Sequence, residues 1–327
     1  MPRRLPTFPY WRLVLLCGLL AGGAVRGAAA APFAYITNQG SHDVSVIDLA
    51  TQGVIATVPV GRSPAGVVAA SGAGRVFVSN PDSKTLSVID MRSQQVVATW
   101  PAGEGPVGID ATADGRRLLV VDWYGRMLLV LDGTTGALRG RVPLGQAPAG
   151  VAVAPDGRSA WVAERDDDAV ALIDLDRLRV VTRVPVGKHP FALFLDAARA
   201  RLYALNVQSD DVTVIDTRSL AVQATIPVGK APYGAALADG GRLLYVTNQG
   251  GNTVSVIDAQ TLAPLRTLDG FAYPEGIAAH GGRVYVVNWM DDNVSVLDAA
   301  TGAFQRSIRT GQNSRGFGAF IGAPLAP

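Results

Sequence analysis

The side chains best suited to chemistry recur at one position of a sequence repeat. This position follows a proline or its equivalent and recurs every 42 residues, with a last step of 40. It is occupied by Ala65, Val107, Ala149, Phe191, Tyr233, Glu275 and Arg315. Three small side chains are thus followed by two aromatic and two charged ones. Aromatic rings can stack on a ligand, while a carboxylate and a guanidinium can transfer protons or bind an anion. This asymmetry predicts a binding site, which a purely structural repeat would lack.

Other polar and aromatic residues belong to the same linkers or to loops beside them. The predicted ligand-binding set is Phe191, Tyr233, Glu275, Arg315, His189, Lys188, Lys230, Tyr273, Trp123 and Trp289. Such residues around the mouth of a central channel are the default place for a ligand. A plainer interpretation remains open, in which Glu275 and Arg315 pair with each other while Phe191 and Tyr233 fill the channel.

The sequence offers no convincing catalytic or metal-binding motif. The three histidines, His42, His189 and His280, do not fall at metal-ligand spacing. Acidic loops at 164–168, 210–211 and 291–292 could surround a hard cation, but none has the spacing of a calcium-binding loop. We therefore predict no catalytic residue, no bound metal and no cofactor, with proton transfer by His189 as an alternative.

The elements that must position these residues repeat with the same period. Short apolar strands such as VSVID end at Asp48, Asp90, Asp132, Asp174, Asp216, Asp258 and Asp298. Ten residues before each aspartate stand Asn38, Asn80, Asp122, Glu164, Asn206, Asn248 and Asn288. Aspartate at the end of a strand can accept hydrogen bonds from turn N–H groups, and asparagine tolerates turn conformations and can bridge backbone groups, so both sets are predicted to be structural. The charged replacements Asp122 and Glu164 are the more informative members.

One repeat contains four short strands joined by tight turns, as residues 231–270 illustrate. Near-continuous apolar strands suit sheets that are covered on both faces, and four strands per 42 residues is typical of a propeller blade. The sequence therefore predicts an all-β fold: a seven-bladed β-propeller of four-stranded antiparallel blades. A C-terminal strand over 315–321 is expected to join the N-terminal blade and close the ring. The predicted domain spans residues 32–323, and a tail follows at 324–327.

Residues 1–31 do not belong to the repeat. Arg3, Arg4 and Arg12 precede an apolar run over 13–25, and small residues at Ala30 and Ala31 offer a cleavage site. This pattern predicts a secretory signal peptide, because the apolar run is shorter than the roughly 20 residues of a membrane-spanning helix. We expect a periplasmic or secreted protein with no transmembrane segment after cleavage.

Removal of this leader changes the charge balance. It holds four arginines and no acidic residue, so 29 basic residues become 25 against 27 acidic ones, a net charge of −2. A mildly acidic protein has no bulk electrostatic attraction to nucleic acid, so the charge balance argues against nucleic acid as a partner. The single cysteine, Cys17, leaves with the leader, so the remaining chain has neither disulfide nor thiol chemistry.

Several short motifs resemble a known family. The strand Tyr35-Ile-Thr-Asn38, its counterpart at 245–248, and linkers such as Val58-Pro-Val-Gly61 are similar to the YVTN-type β-propeller repeat family. The resemblance covers about residues 33–321. It implies an exported bacterial protein with seven blades. The motif residues belong to the fold, so the resemblance carries no catalytic residue over to this chain.

Three functions are compatible with the sequence. The favoured hypothesis is a monomeric, non-enzymatic binding or scaffold protein whose upper face and axial funnel bind a small molecule or a periplasmic protein. The second is a propeller lyase or hydrolase, or an accessory subunit of a quinone- or metal-dependent oxidoreductase, with His189, Glu275 and Arg315 as its acid, base and anion-binding groups. The third is single-stranded nucleic-acid binding by stacking aromatic residues.

Overall fold

The computed structural model describes residues 1–2 and 32–325. The predicted signal peptide, its cleavage site and Cys17 lie outside the described residues, apart from the first two residues. Within the described part of the chain, strands form seven antiparallel sheets, each with four strands along its main path, and the longest helical elements are single turns of 3-10 helix. The predicted all-β, seven-bladed propeller is confirmed.

The first strand of each blade lies nearest the axis and the fourth lies at the rim. Blade 1 contains β1 (Phe33–Asn38), β2 (Asp43–Asp48) and β3 (Gly53–Pro59). Blade 2 contains β4 (Val67–Ala70), β5 (Arg75–Asn80), β6 (Thr85–Asp90) and β7 (Gln95–Pro101). Blade 3 contains β8 (Pro106–Ala111), β9 (Arg117–Asp122), β10 (Met127–Asp132) and β11 (Leu138–Pro143). Blade 4 contains β12 (Pro148–Val153), β13 (Ser159–Glu164), β14 (Ala169–Asp174) and β15 (Arg179–Pro185).

The remaining three blades repeat the same order. Blade 5 contains β16 (Pro190–Asp196), β17 (Arg201–Asn206), β18 (Asp211–Asp216) and β19 (Val222–Pro227). Blade 6 contains β20 (Pro232–Ala238), β21 (Leu243–Asn248), β22 (Thr253–Asp258) and β23 (Pro264–Leu268). Blade 7 contains β24 (Pro274–His280), β25 (Arg283–Asn288), β26 (Asn293–Asp298) and β27 (Phe304–Arg309). Single 3-10 turns lie at Ser71–Ala73, Pro81–Ser83, Arg165–Asp167, Asp239–Gly241 and Gln249–Gly251.

The core lies between neighbouring blades, where the two middle strands of each sheet are covered on both faces. All six residues of β21 are buried, and so are the four central residues of β22. The rim strand β23 is largely exposed. Continuous apolar runs therefore form the inner strands, while mixed sequences form the rim. Among the described residues, no helix is long and apolar enough to cross a membrane.

The repeated aspartates have the structural role that the sequence predicts. Asp258 Oδ1 accepts hydrogen bonds from the backbone N–H groups of Gln260 (2.9 Å) and Thr261 (2.8 Å). Asp48 does the same for Ala50 and Thr51. Each carboxylate thus holds the turn between the third and fourth strands, and none of these contacts requires a ligand.

The innermost strands approach each other closely at the axis. A Cβ atom added at Gly108 would lie 2.0 Å from the carbonyl oxygen of Ala149 in the next blade. One added at Gly276 would lie 2.5 Å from the Cα atom of Gly316. Glycine is required at these positions because any side chain would push adjacent blades apart.

The ring closes through the C-terminus, although not by a single strand. The sequence predicted one strand over 315–321, but two short strands are found, β28 (Ser314–Arg315) and β29 (Ile321–Gly322), which both pair with β1. Residues 316–320, which we call the closing segment, step inward between them. Gly318 permits this course because its φ of +125° is open to glycine.

The closing segment bonds to two different blades. The amides of Val67 and Ala69 on β4 donate to the carbonyls of Phe317 (2.9 Å) and Ala319 (2.8 Å), and the amide of Tyr35 on β1 donates to the carbonyl of Phe320 (2.9 Å). The segment therefore lies inside the ring and covers β4 on the axial side. This inward course is the physical reason that the predicted strand is interrupted.

Removal of the Phe320 side chain tests the closure. Phe320 is fully buried against β1, β5 and blade 7, so Phe320→Ala should lower the free energy of unfolding by about 3–5 kcal/mol. Phe304 at the rim is 64% exposed, so Phe304→Ala should change it by less than about 0.5 kcal/mol. Urea unfolding measures both, and equal losses in the two variants would contradict the closure.

Candidate functional site

The linkers between blades place the predicted site on one face of the ring. We call this the upper face; it also carries the loops between the second and third strands. Each first strand runs from the upper face to the lower face, which carries the turns between the first and second strands. The positions after the linker prolines therefore encircle the upper end of the axis.

The aromatic members of the set meet at the axis. The ring centroids of Phe191 and Tyr233 lie 4.7 Å apart, and those of Phe191 and Phe317 lie 5.1 Å apart. Trp123 joins at 6.1 Å from Phe191. We call Phe191, Tyr233 and Phe317 the central aromatic cluster. It lies at the upper end of the axis, where the plainer interpretation placed Phe191 and Tyr233.

Glu275 and Arg315 form a buried ion pair beside this cluster. Arg315 Nε donates to Glu275 Oε2 over 2.6 Å, and the same guanidinium donates to the hydroxyl of Tyr233. Gln249 Nε2 donates to Glu275 Oε1 over 2.7 Å. Glu275 is 2% exposed, so both carboxylate oxygens are engaged inside the protein. Burial also raises the pKa of Tyr233 well above its usual range, so this hydroxyl keeps its proton.

The remaining predicted residues make separate contacts on the upper face. Lys188 Nζ lies 2.6 Å from Asp168 Oδ2, and the His189 amide donates to the other oxygen of this carboxylate over 2.9 Å. Tyr273 packs against Trp289 with ring centroids 5.6 Å apart. Lys230 is exposed. The structure thus brings Trp123, Phe191, Tyr233, Glu275 and Arg315 together and leaves Lys188, His189, Lys230, Tyr273 and Trp289 around them.

The charged replacements of the repeated asparagine serve the fold. Asp122 accepts hydrogen bonds from the amides of Glu104 (3.0 Å), Gly105 (2.8 Å) and Gly125 (3.0 Å). Glu164 is fully buried and binds the Arg183 guanidinium through two hydrogen bonds of 2.6 and 3.0 Å. Both carboxylates therefore form hydrogen bonds within the blades and their linkers. In the described part of the chain, no three His, Cys, Asp or Glu side chains are grouped as metal ligands would be.

A cavity of about 490 Å³ lies below the central aromatic cluster. Its walls are the first strands of blades 3 to 7 and the closing segment, and Tyr233, Glu275 and Phe317 line its upper end. It extends to Pro155 and Ala197 in the lower-face turns. We call it the axial cavity. The cavity therefore reaches the lower face, opposite to the predicted mouth, while the packed rings of the aromatic cluster lie at its upper end.

Asp110 on β8 lines this cavity and was not singled out by the sequence analysis. Its Oδ1 accepts from the Ala111 amide and its Oδ2 from the Val153 amide of the next blade, both over 2.8 Å. The carboxylate faces the cavity, and the residue as a whole is half-buried. Burial raises its pKa to about 6, and the two backbone donors offset this only in part. Of the described residues that line the cavity, Asp110 and Glu275 carry the carboxylates.

A sequence signal for Asp110 exists at the level of the repeat. The position two residues after each innermost glycine or its equivalent is occupied by Val68, Asp110, Ala152, Phe194, Ala236, Ala278 and Gly318. One charged residue among six apolar or small ones is a clear departure from the pattern. Phe317 departs in the same way. It directly follows the innermost glycine, and the other six blades have valine, isoleucine, leucine or alanine at that position.

Comparisons with known proteins agree with this ring. A model of the YNCE-like beta-propeller family matches residues 25–158, and a model of the "Lactonase, 7-bladed beta-propeller" family matches residues 130–219. The chain is a seven-bladed β-propeller. A comparison with the curated proteins finds no match. The YVTN-type resemblance is compatible with both family matches and stays a prediction.

Solved structures with low sequence identity share the fold. A chain of Kuenenia stuttgartiensis hydrazine synthase has a TM-score of 0.71 at 20% identity, covering 86% of this chain and 99% of that one. Dihydro-heme d1 dehydrogenase NirN, solved in complex with DHE, has a TM-score of 0.67 at 21% identity, covering 86% and 64%. A functionally unknown protein from Desulfotomaculum acetoxidans DSM 771 has a TM-score of 0.76 at 16% identity, covering 90% and 99%. At these identities the likeness concerns the fold alone.

The pKa of Asp110 predicts a specific pH dependence of stability. The folded state holds the Asp110 proton up to a pH of about 6, whereas an unfolded aspartate releases it near 3.8. The free energy of unfolding should therefore fall by up to about 3 kcal/mol as the pH rises from about 4 to about 6. Asp110→Asn abolishes this loss, so the variant should exceed the wild type in stability at pH 7 and lose the advantage by pH 4.

Urea unfolding at several pH values measures this difference, and Asp114→Asn is the matched control. The Thr112 hydroxyl and the Arg116 amide lower the pKa of Asp114, so the control should show the opposite sign at neutral pH. A difference between Asp110→Asn and the wild type that does not vary with pH would contradict the assignment.

Proposed function

We propose that this propeller is an exported, non-enzymatic binding protein whose axial cavity holds a small molecule. The observation that carries the proposal is the cavity itself, about 490 Å³ in volume and walled by apolar first strands with few polar groups. Pockets of roughly 300–1,000 Å³ with this composition are the usual binding sites of small molecules. The central aromatic cluster supports the proposal because Tyr233 and Phe317 add aromatic surface to the lining of the cavity.

The contacts of the upper-face residues favour binding over catalysis. A general acid or base must reach the proton that it transfers. Both oxygens of Glu275 are held by Arg315 and Gln249, and its side chain is buried. His189 lies 4.0 Å from Asp166 and belongs to the exposed loops above the cluster. The acid, base and anion-binding trio of the enzyme hypothesis therefore has no shared, accessible surface.

The proposed location is the periplasm or the exterior of a bacterium. It rests on the leader pattern of residues 1–31, with its basic start, its short apolar run and its small residues at Ala30 and Ala31. The mature chain is expected to work as a monomer without a resident cofactor.

A second proposal concerns a protein partner on the upper face. Tyr124 and Met290, which follow Trp123 and Trp289 in two upper-face loops, are 76% and 61% exposed. Exposed aromatic and methionine side chains are enriched in protein interfaces. Two of the similar folds occur in structures described as hydrazine synthase and dihydro-heme d1 dehydrogenase, which supports an accessory role beside an oxidoreductase as the alternative function.

Filling the cavity tests the binding proposal. A neutral fluorophore such as N-phenyl-1-naphthylamine should bind the mature chain with a rise in fluorescence, because the cavity is apolar. Ala278 lines the cavity, so Ala278→Trp should weaken this binding at least about tenfold by occupying the space. Ala263→Trp on the exposed turn before β23 is the matched control and should bind as the wild type does.

Thermal melting shows whether each variant is folded. Absence of fluorophore binding to the folded wild type, or equal binding by wild type and Ala278→Trp, would overturn the cavity as the binding site.

A further inference from the structure

We infer that the axial cavity is selective for small molecules that carry a protonated amine on an apolar body, and that Asp110 is the residue that binds the ammonium group. This inference rests on the proposed function, since it names the ligand class of the same cavity. The apolar body would lie against the aliphatic walls and the lower side of the central aromatic cluster. The ammonium group would meet the carboxylate on β8.

Asp110 has the geometry of an ammonium acceptor. Its two hydrogen bonds come from the amides of Ala111 and Val153, one to each oxygen. A carboxylate oxygen can accept two hydrogen bonds, so each oxygen retains a free lone pair. Among the described residues, no lysine, arginine or histidine lies within salt-bridge distance of Asp110, whereas Glu275 is paired with Arg315. The cavity therefore contains one carboxylate that lacks a counter-ion.

The electrostatics of the cavity favour a cation at this point. Desolvation penalises the ionised form of Asp110, which is why its pKa lies near 6. A bound ammonium group would provide the missing opposite charge and a charge-assisted hydrogen bond in a region of low dielectric constant. An anionic ligand would meet like charge at the same place. A neutral ligand would gain the apolar contacts alone.

The walls around Asp110 suit the apolar part of such a ligand. Ile109, Leu193, Phe194 and Leu237 line the cavity together with several small residues. Phe194 occupies, two blades further on, the repeat position that Asp110 occupies in blade 3. The charged and the aromatic departures from the repeat pattern therefore lie on the wall of the same cavity.

A structural role alone does not require the charge. Asp110 fastens blade 3 to blade 4 by accepting a hydrogen bond from the Val153 amide. The side-chain oxygen of asparagine could accept the same bond without the cost of burying a charge. Five of the other six blades hold an apolar residue at this position and the sixth holds glycine, so blade contact in general does not need a carboxylate. Asp110→Asn consequently separates the blade contact from the ammonium site.

The test compares amines with alcohols of the same shape. Isothermal titration calorimetry at pH 7.5 measures the binding of 2-phenylethylamine and tryptamine, and of 2-phenylethanol and tryptophol, to the mature chain. We expect the wild type to bind each amine at least about tenfold more tightly than its alcohol, because the charge-assisted contact is added to equal apolar contacts. Asp110→Asn should bind each amine and its alcohol with equal affinity. Asp114→Asn, outside the cavity, should keep the wild-type preference.

The outcomes distinguish the two proposals. Equal affinity of wild type for amines and alcohols, or an amine preference that persists in Asp110→Asn, would overturn the ammonium site while leaving the binding cavity intact. Binding of the neutral fluorophore without any binding of the amines would also overturn it. Failure of the fluorophore and of all four compounds to bind would refute the cavity as a binding site altogether.

Discussion

The structure depends on the hydrogen bonds between the closing segment and the first blades. A single blade cannot bury both faces of its sheet, so each blade needs a neighbour on either side. In this ring the first and last blades become neighbours only if the C-terminus joins β1. The carbonyls of Phe317, Ala319 and Phe320 meet this need by accepting from the amides of Val67, Ala69 and Tyr35. Without these bonds, β1 and β4 would present unpaired backbone groups to the solvent along the axis.

The same segment shapes the interior of the ring. Because residues 316–320 run inside the first blades, Phe317 reaches Phe191 and Tyr233 and completes the central aromatic cluster. The axial cavity beneath this cluster is bounded by blades 3 to 7 and reaches the lower-face turns. Closure and binding are therefore linked: the residues that complete the ring also form one wall of the axial cavity.

The period of the repeat was sufficient to predict the number of blades, the four strands of each blade and the role of the turn aspartates. It also placed Phe191, Tyr233, Glu275 and Arg315 at the axis, but it could not decide whether Glu275 and Arg315 would face a ligand or each other. That choice depends on side-chain packing across different blades, which a repeat pattern does not encode. The inward course of the closing segment was missed because it occurs once, at the glycines around Phe317. Asp110 was overlooked for a related reason, since one departure within an apolar strand becomes meaningful only when the strand is known to line a cavity.

Residue-resolved amide hydrogen exchange tests the closure most directly. The amides of Tyr35 and Ala69 donate to the closing segment over 2.9 and 2.8 Å. We expect exchange at both amides to require a free energy of opening close to that of global unfolding. Tyr245, the equivalent of Tyr35 in blade 6, should be protected to the same extent and serves as the reference. Rapid exchange at Tyr35 and Ala69 beside a protected Tyr245 would show that the C-terminus does not close the ring, and would contradict both the wall of the axial cavity and the central aromatic cluster.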